Sequence, residues 1–162
     1  MVINYYGGGM VKVTQGDKTL VFNPLAGKKL KANLTLFSTP GSDYPTETFI
    51  IDGPGEYEVS GVFVRGVASG PPAGGNTIYA VKFEEIALVH LGQPSGALSD
   101  ELVEQLGEVD ILFVPVAASK ALTLLEPKLA IPLHYKNDDE LKRFLHEAGV
   151  ENGAAVESLP LK

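Results

Sequence analysis

The stretch Asn76–Gly96, "NTIYAVKFEEIALVHLGQPSG", holds two apolar runs on either side of a Glu-Glu pair. Runs rich in Ile, Val, Tyr and Phe are typical of half-buried strands, and their close spacing predicts a hairpin. The second run ends at His90 and passes into a turn that contains Gln93. The stretch therefore predicts two paired core strands with polar candidate site residues directly after the second strand.

Short strand patterns fill the chain before this hairpin. "INYYGGGMVKV" reads as strand, turn and strand around Gly7–Gly9, and "KTLVFNP", "ANLTLFS" and "GPGEYEVSGVFVRGV" follow between Gly- and Pro-containing turns. The three glycines lack the Gly-Lys-Ser/Thr ending of a phosphate-binding loop, and they lead into a strand instead of a helix. We therefore predict a tight hairpin turn there and a β-rich first half.

The period of the apolar residues changes after the hairpin. Helical spacing begins at Ser99, a plausible N-cap, and a second helical pattern stops before Pro127. A third pattern starts with Asn137 or Asp138 as its cap, while "DILFVPV" and "AIPLHY" are typical of buried strands. A β-rich half followed by alternating strands and helices predicts an α/β (α+β) sandwich of stacked sheets with helices outside. We expect one domain over residues 1–162.

Composition excludes several classes of protein. The net charge of −7 and the pI of about 4.9 disfavour a nucleic-acid binder or an anionic-membrane binder, because both need a basic surface. The absence of cysteine excludes disulfides and thiolate zinc sites. We see neither a signal-peptide pattern nor an apolar run of membrane-spanning length, and we expect a cytoplasmic protein.

The order of these segments resembles the metallo-β-lactamase superfamily. The closest likeness is to its small bacterial metal-dependent hydrolase-like branch, which is related to the L-ascorbate-6-phosphate lactonases. "INYYGGGMVKV…KTLVFNP" is similar to the opening hairpin of that branch and to its strand ending in Asp-Pro. "VHLGQPSG" is similar to its His-x-Gly-Asp turn, and "VDILFVPV" and "PKLAIPLHY" are similar to its last strands on the metal side. The resemblance implies an αββα sandwich of reduced size, with the site at one edge between two sheets.

The resemblance also implies where metal ligands are expected. The family carries His-x-His-x-Asp-His after its fourth strand, a spacing that lets imidazole and carboxylate groups converge on two metal ions. In "STPGSDY" the first two histidine positions fall on Thr39 and Gly41, the aspartate falls on Asp43, and Tyr44 replaces the last histidine. Threonine and glycine cannot replace imidazole, so the loop has the character of a remnant.

The other implied positions are mixed. Gln93 stands where a bridging aspartate is expected, His134 is retained, and Asn23 replaces an aspartate that supports the ligands. These changes remove negative charge that two dications would need. The resemblance therefore predicts a lost binuclear site and no metal cofactor.

The surviving polar residues leave alternatives open. His134 could be one ligand of a mononuclear site or a hydrogen-bonded strand-end residue. Asp43 could be a general base or could hold its own loop, and His90 could face the cleft or merely end its strand. Ser38, Thr39 or Ser42 could be a nucleophile in a constellation with His134 and Asp43. Glu56 and Glu58, with Tyr57 on the opposite face of the strand, could supply a rebuilt carboxylate site or could be a solvated strand face. His146 is predicted to lie on the surface.

Three functions follow from these alternatives. The first is a non-catalytic member of a hydrolase fold that acts by binding or assembly. The second is a hydrolase with metal-free or mononuclear chemistry, and the third is a small-molecule or nucleotide-binding module. Because almost no helical pattern lies between Met1 and Phe83, one outer sheet face lacks cover unless it is polar, and we expect a homodimer that buries it.

Overall fold

Two six-stranded sheets organise the part of the chain that the computed structural model describes. The described residues are 1–28, 30–41, 47–70, 75–151, 156 and 158–161. The strands are β1 Val2–Tyr5, β2 Val11–Gln15, β3 Lys18–Phe22, β4 Leu34–Leu36, β5 Phe49–Ile51, β6 Gly55–Val59, β7 Val62–Ser69, β8 Asn76–Phe83, β9 Ile86–His90, β10 Ile111–Pro115, β11 Leu129–Leu133 and β12 Ser158–Pro160. The helices are α1 Asp100–Leu106, α2 Ala121–Leu125 and α3 Asp138–Glu147.

Both sheets are mixed, because short turns join antiparallel strands and longer crossovers join parallel strands. The first sheet has the order β12-β1-β2-β3-β4-β5, in which β3, β4 and β5 run parallel to one another. The second sheet has the order β11-β10-β9-β8-β7-β6, in which β9, β10 and β11 run parallel. The predicted hairpin is the antiparallel pair β8–β9, and it places Tyr79 opposite His90.

The main core lies between the two sheets. Alternation along each strand turns Val11, Val13, Leu20 and Phe22 of the first sheet inward against Phe113 and its neighbours in the second sheet. Phe22 and Phe113 lie with ring centroids 5.7 Å apart. Tyr57 also packs against this core while Glu56 and Glu58 are exposed, which is the alternation that the sequence predicts.

The helices cover the outer face of the second sheet. Leu106 of α1, Ala121 and Leu125 of α2 and Phe144 of α3 form an apolar cluster with outward-facing residues of the sheet. Asn137 caps α3 by accepting a hydrogen bond from the Glu140 amide at 2.9 Å. None of the helices within the described residues is long and apolar enough to cross a membrane.

The outer face of the first sheet has no helix over it in the described ranges, as the sequence indicates. Its outward positions include Lys12, Thr14 and Thr19, which are half-buried, and Val21 and Thr35, which are buried. These outward positions of the described strands are mostly polar, with the apolar Val21 among them. Polar outward positions tolerate contact with water, which agrees with the polar alternative and leaves the expected homodimer a prediction.

Four strands lie at the edges of the two sheets. These are β12 and β5 in the first sheet and β11 and β6 in the second. Pro132 and Pro160 lie within β11 and β12, β5 has only three residues, and Glu56 and Glu58 lie on β6.

Candidate functional site

The predicted site residues lie where several strands end. Because β9, β10 and β11 are parallel, the residues that follow β9 and β11 meet at one end of the second sheet. Asn23 follows β3 and Ser38 follows the parallel strand β4 in the first sheet. The Thr77 amide donates to the Ser38 carbonyl at 2.7 Å, and the His134 amide donates to the Gly8 carbonyl at 3.0 Å. These two bonds bring the ends of both sheets together.

His134 lies at the mouth of this end in a strained conformation. Its φ is +57°, and a β-carbon added to Gly9 would lie 2.7 Å from its Nε2 atom. The Gln93 side-chain amide donates to Nδ1 of His134 at 2.8 Å. Partial burial holds the pKa of His134 below its usual value, so the ring is neutral at physiological pH. The structure thus brings together the two predicted ligand positions Gln93 and His134.

His90 ends β9 and agrees with the second alternative, a polar strand-end residue that does not face the cleft. Its side chain is fully buried, and its ring stacks on Phe22 with a centroid separation of 4.8 Å. The Gly92 amide donates to Nδ1 at 3.0 Å, so Nε2 carries the proton and donates to the Gly9 carbonyl at 3.0 Å. With both ring nitrogens bonded to the backbone, His90 has a structural role.

Burial controls the charge of His90. Removal from water lowers the pKa of His90 to about 4, the Gly9 carbonyl opposes this shift, and nearby His134 adds to it. The ring is therefore neutral in the folded protein near pH 7. A neutral ring is also what its hydrogen bonds require, because Nδ1 must accept a hydrogen bond from an amide.

Asn23 forms a two-point contact with the loop after β4. Its Oδ1 accepts a hydrogen bond from the Ser38 amide at 2.7 Å, and its Nδ2 donates to the Ser38 hydroxyl at 3.1 Å. Asn23 adopts φ +45°, a left-handed conformation that asparagine tolerates better than most residues. The supporting position predicted at Asn23 therefore holds a neutral amide that organises Ser38.

Asn76 is a site residue that the sequence analysis did not single out. It begins β8 and is buried, and its Nδ2 donates to the Leu91 carbonyl at 2.8 Å. Its Oδ1 accepts a hydrogen bond from the Gln93 amide at 2.8 Å. Gly92 sits between these contacts at φ +63°. The only signal in the sequence was an asparagine at the start of a strand after a Gly- and Pro-rich loop.

The other candidates are not drawn into a catalytic arrangement. Thr39 and Gly41 are exposed, and the Ser38 hydroxyl bonds to Asn23. Among the described residues, no hydrogen bond joins Ser38 or Thr39 to a histidine. His146 is exposed on α3, as predicted. Asp43, Tyr44 and Ser42 lie outside the described residues.

The strand and turn candidates also have structural explanations. Glu56 pairs with Arg65 at 3.1 Å on the exposed face of the second sheet. Gly7–Gly9 form the predicted hairpin turn, in which the Met10 amide donates to the Gly7 carbonyl at 3.0 Å. Neither group contributes a carboxylate or a phosphate-binding loop to the strand ends described above.

The described residues do not fit a binuclear metal centre. Thr39 and Gly41 offer no imidazole, and Gln93 turns its amide nitrogen toward His134. Within the described ranges, no group of three or more His, Cys, Asp or Glu side chains could hold a metal ion. The described part of the site also leaves no buried side-chain nitrogen or oxygen without a hydrogen-bond partner. In the described part of the site, the strand ends are joined by neutral hydrogen bonds and present no convergent set of metal donors.

Known relatives share parts of this chain. Two archaeal proteins named as metal-dependent hydrolases are each 31% identical to it, the Methanopyrus kandleri protein over 101 residues and the Archaeoglobus fulgidus protein over 78 residues. These matches cover 52% and 43% of this chain but only 42% and 32% of the two relatives. The chain thus spans less than half the length of the curated relatives it matches.

Solved structures share the whole architecture. A Thermotoga maritima protein of the metallo-β-lactamase superfamily, proposed to be a Zn-dependent hydrolase, matches with a TM-score of 0.84 and 28% identity. The match covers 99% of this chain and 91% of the other. An isothiocyanate hydrolase from Delia radicum gut bacteria matches with a TM-score of 0.68 over 99% of both chains, but at 12% identity this likeness shows the fold alone.

The family model extends over most of the described strands. The model of the β-lactamase superfamily domain matches residues 2–134, a range that begins in β1 and ends at the strand-end histidine. This match agrees with the two-sheet sandwich and with the architecture of the Thermotoga maritima protein. The chain belongs to the metallo-β-lactamase superfamily.

Proposed function

We propose that this chain is a non-catalytic member of the superfamily that acts by binding or assembly. The proposal rests on one contact, the 2.8 Å hydrogen bond from the side-chain amide of Gln93 to Nδ1 of His134. That bond occupies a lone pair that a metal ion would need, and it joins two of the predicted ligand positions. We also propose that the chain belongs to the branch related to the L-ascorbate-6-phosphate lactonases and that it is located in the cytoplasm.

Electrostatics supports the same proposal. A pair of divalent cations needs several anionic or imidazole ligands, because removal of a cation from water is costly unless the charge is compensated. Asn23 and Gln93 are neutral where the family pattern implies aspartates, and Thr39 and Gly41 replace histidines. Together these four positions lack two carboxylates and two imidazoles.

A second candidate function is hydrolysis by mononuclear or metal-free chemistry at His134. The archaeal relatives named as metal-dependent hydrolases favour it. The His134 ring is only half-buried and neutral, and a neutral imidazole can act as a base or as a ligand. A small-molecule or nucleotide-binding module is the third proposal, and it would use the same cleft without chemistry.

Metal content separates the first two functions. We expect purified protein to contain well under one equivalent of zinc, manganese or iron by elemental analysis. We also expect an unchanged thermal midpoint in chelator, because only a ligand that binds the native state raises stability. A stoichiometric metal that is lost together with stability on chelation would favour the hydrolase.

A matched variant provides the positive control for that measurement. Thr39→His, Gly41→His, Tyr44→His and Gln93→Asp together restore the family pattern around Asp43 and His134. This variant should bind zinc but catalyse poorly, because Asn23 remains as a neutral support. Absence of zinc binding in the folded variant would mean that residues 39–44 do not correspond to the family's His-x-His-x-Asp-His loop.

We also propose that the chain forms a homodimer, although the outer face of the first sheet is polar. The support is a pair of large exposed aromatic side chains, Phe49 and Phe63, each 53% exposed. Light scattering at micromolar concentration should give about twice the 17.2 kDa mass of one chain. Phe49→Ser and Phe63→Ser test which aromatic residue lies in the contact. A mass of one chain over the whole range would rule the stable dimer out.

A further inference from the structure

A path of neutral hydrogen bonds, linked at one step through the backbone between Asn76 and Thr77, joins the strand ends of both sheets. Asn23 bonds to Ser38, and the Ser38 carbonyl accepts a hydrogen bond from Thr77, the residue next to Asn76. Asn76 bonds to Gln93, and Gln93 bonds to His134. We call the five residues Asn23, Ser38, Asn76, Gln93 and His134 the amide bracket.

The bracket crosses between the sheets at two places. The first crossing is the bond from the Thr77 amide in β8 to the Ser38 carbonyl after β4, at 2.7 Å. The second is the bond from the His134 amide after β11 to the Gly8 carbonyl before β2, at 3.0 Å. The family pattern implies that imidazole and carboxylate groups on loops at these strand ends would hold a metal ion.

We infer that the amide bracket takes over the structural role of a metal at this end of the sandwich. It holds the loops after β4, β9 and β11 in one arrangement without a cation. Asn23 and Asn76 are its positioning residues, since each fixes a loop through both atoms of its side-chain amide. The inference deepens the proposed function and rests on it for the contact between Gln93 and His134.

The inference requires that the members act as one unit. A change at Asn23 should loosen the Gln93 loop, although Asn23 bonds to Ser38 and not to Gln93. If each asparagine supported only its own loop, a change at Asn23 would accelerate amide exchange at Ser38 alone. Amide hydrogen exchange separates these cases, because the Ser38, Thr77 and Gln93 amides each donate one bond of the path.

The experiment compares Asn23→Ala with Asn33→Ala in the metal-free protein. Asn33 is the control, because its Oδ1 accepts a hydrogen bond from the Thr19 amide at 2.7 Å and no hydrogen bond among the described residues joins its side chain to the bracket. Ser38→Ala, in turn, lacks the strain that the φ of +45° at Asn23 adds to an alanine there. In Asn23→Ala we expect exchange at Ser38, Thr77 and Gln93 to accelerate about ten- to one-hundredfold. In Asn33→Ala only the Thr19 amide should respond. The amide of Leu112, in the middle of β10, reports global unfolding in every variant.

Two further measurements keep the outcomes distinct. Ser38→Ala removes only the hydroxyl that accepts from Asn23, so it should give the same pattern with a smaller acceleration if Asn23→Ala does not fold. Exchange at Gln93 in the unmodified protein should not change with chelator. Acceleration by chelator would overturn the metal-free function. Acceleration confined to Ser38, with Gln93 unchanged by Asn23→Ala or Ser38→Ala, would overturn the bracket and leave the metal-free function standing.

Discussion

Replacement of Gly92 by alanine should remove about 3–5 kcal/mol of the free energy of unfolding, the largest loss expected from one added methyl group among the described glycines. Gly92 has φ +63°, which costs an alanine about 1–2 kcal/mol. Its new β-carbon would also overlap Oδ1 of Asn76 and lie 2.7 Å from Cβ of Ser38. The loop that contains Gly92 would have to move away from Asn76, and this would break the hydrogen bond from the backbone amide of Gln93 to Oδ1 of Asn76.

The chain contains a matched control for the backbone part of this effect. Gly16 has φ +59°, and a β-carbon added there would meet no atom within 4 Å. Gly16→Ala should therefore show only the conformational cost, about 1–2 kcal/mol. Urea unfolding of both variants measures the difference directly. Equal losses in the two variants would show that the packing around Gly92 is looser than the structure indicates.

Acidification below about pH 6.5 should destabilise the protein through His90. The pKa of His90 is about 4 in the folded protein, against an ordinary value of 6.5 for the unfolded chain. Its contribution is therefore complete above pH 6.5 and is lost as the pH falls toward 4. Between neutral pH and about pH 4.5 this amounts to roughly 2–3 kcal/mol.

A non-titrating replacement isolates this contribution. His90→Gln keeps a side-chain N–H that can reach the Gly9 carbonyl, and it should flatten the dependence of unfolding free energy on pH in this window. The depressed pKa of His134 acts in the same direction and leaves a smaller residual slope. His146→Gln, on the exposed surface of α3, serves as the control and should keep the full slope. A slope unchanged in His90→Gln would contradict the assignment.

Much of the fold could be predicted because its local patterns agree with its tertiary structure. The hairpin of β8 and β9, the glycine turn before β2 and the capped helix α3 each follow from residues that are close in sequence. The largely polar outer face of the first sheet could not be predicted from local patterns in this way. Its character depends on which of two alternating sets of side chains turns inward, and only the opposing sheet decides that.

Part of the candidate site could be predicted from the sequence. The sequence places Gln93 and His134 in one site, and the structure brings their side chains within hydrogen-bond distance. The loss of ligand types that Thr39, Gly41 and Gln93 indicate stays a prediction. The partners of His90 could not be read in this way, because Gly9 lies far from it in the chain. Asn76 was missed for the same reason, since its role depends on Leu91 and Gln93 arriving from the adjacent strand.

The four edge strands bear on how copies of this protein meet in a concentrated solution. An exposed edge can recruit a strand from another molecule and begin a growing, aggregated sheet. Here Pro132 and Pro160 each remove a backbone donor, β5 offers only three residues, and β6 carries Glu56 and Glu58. In a two-fold antiparallel pairing of β6 centred on Tyr57, Glu56 of each copy would face Glu58 of the other, and like charges would repel. These edge features disfavour the open-ended growth of a sheet from one copy to the next.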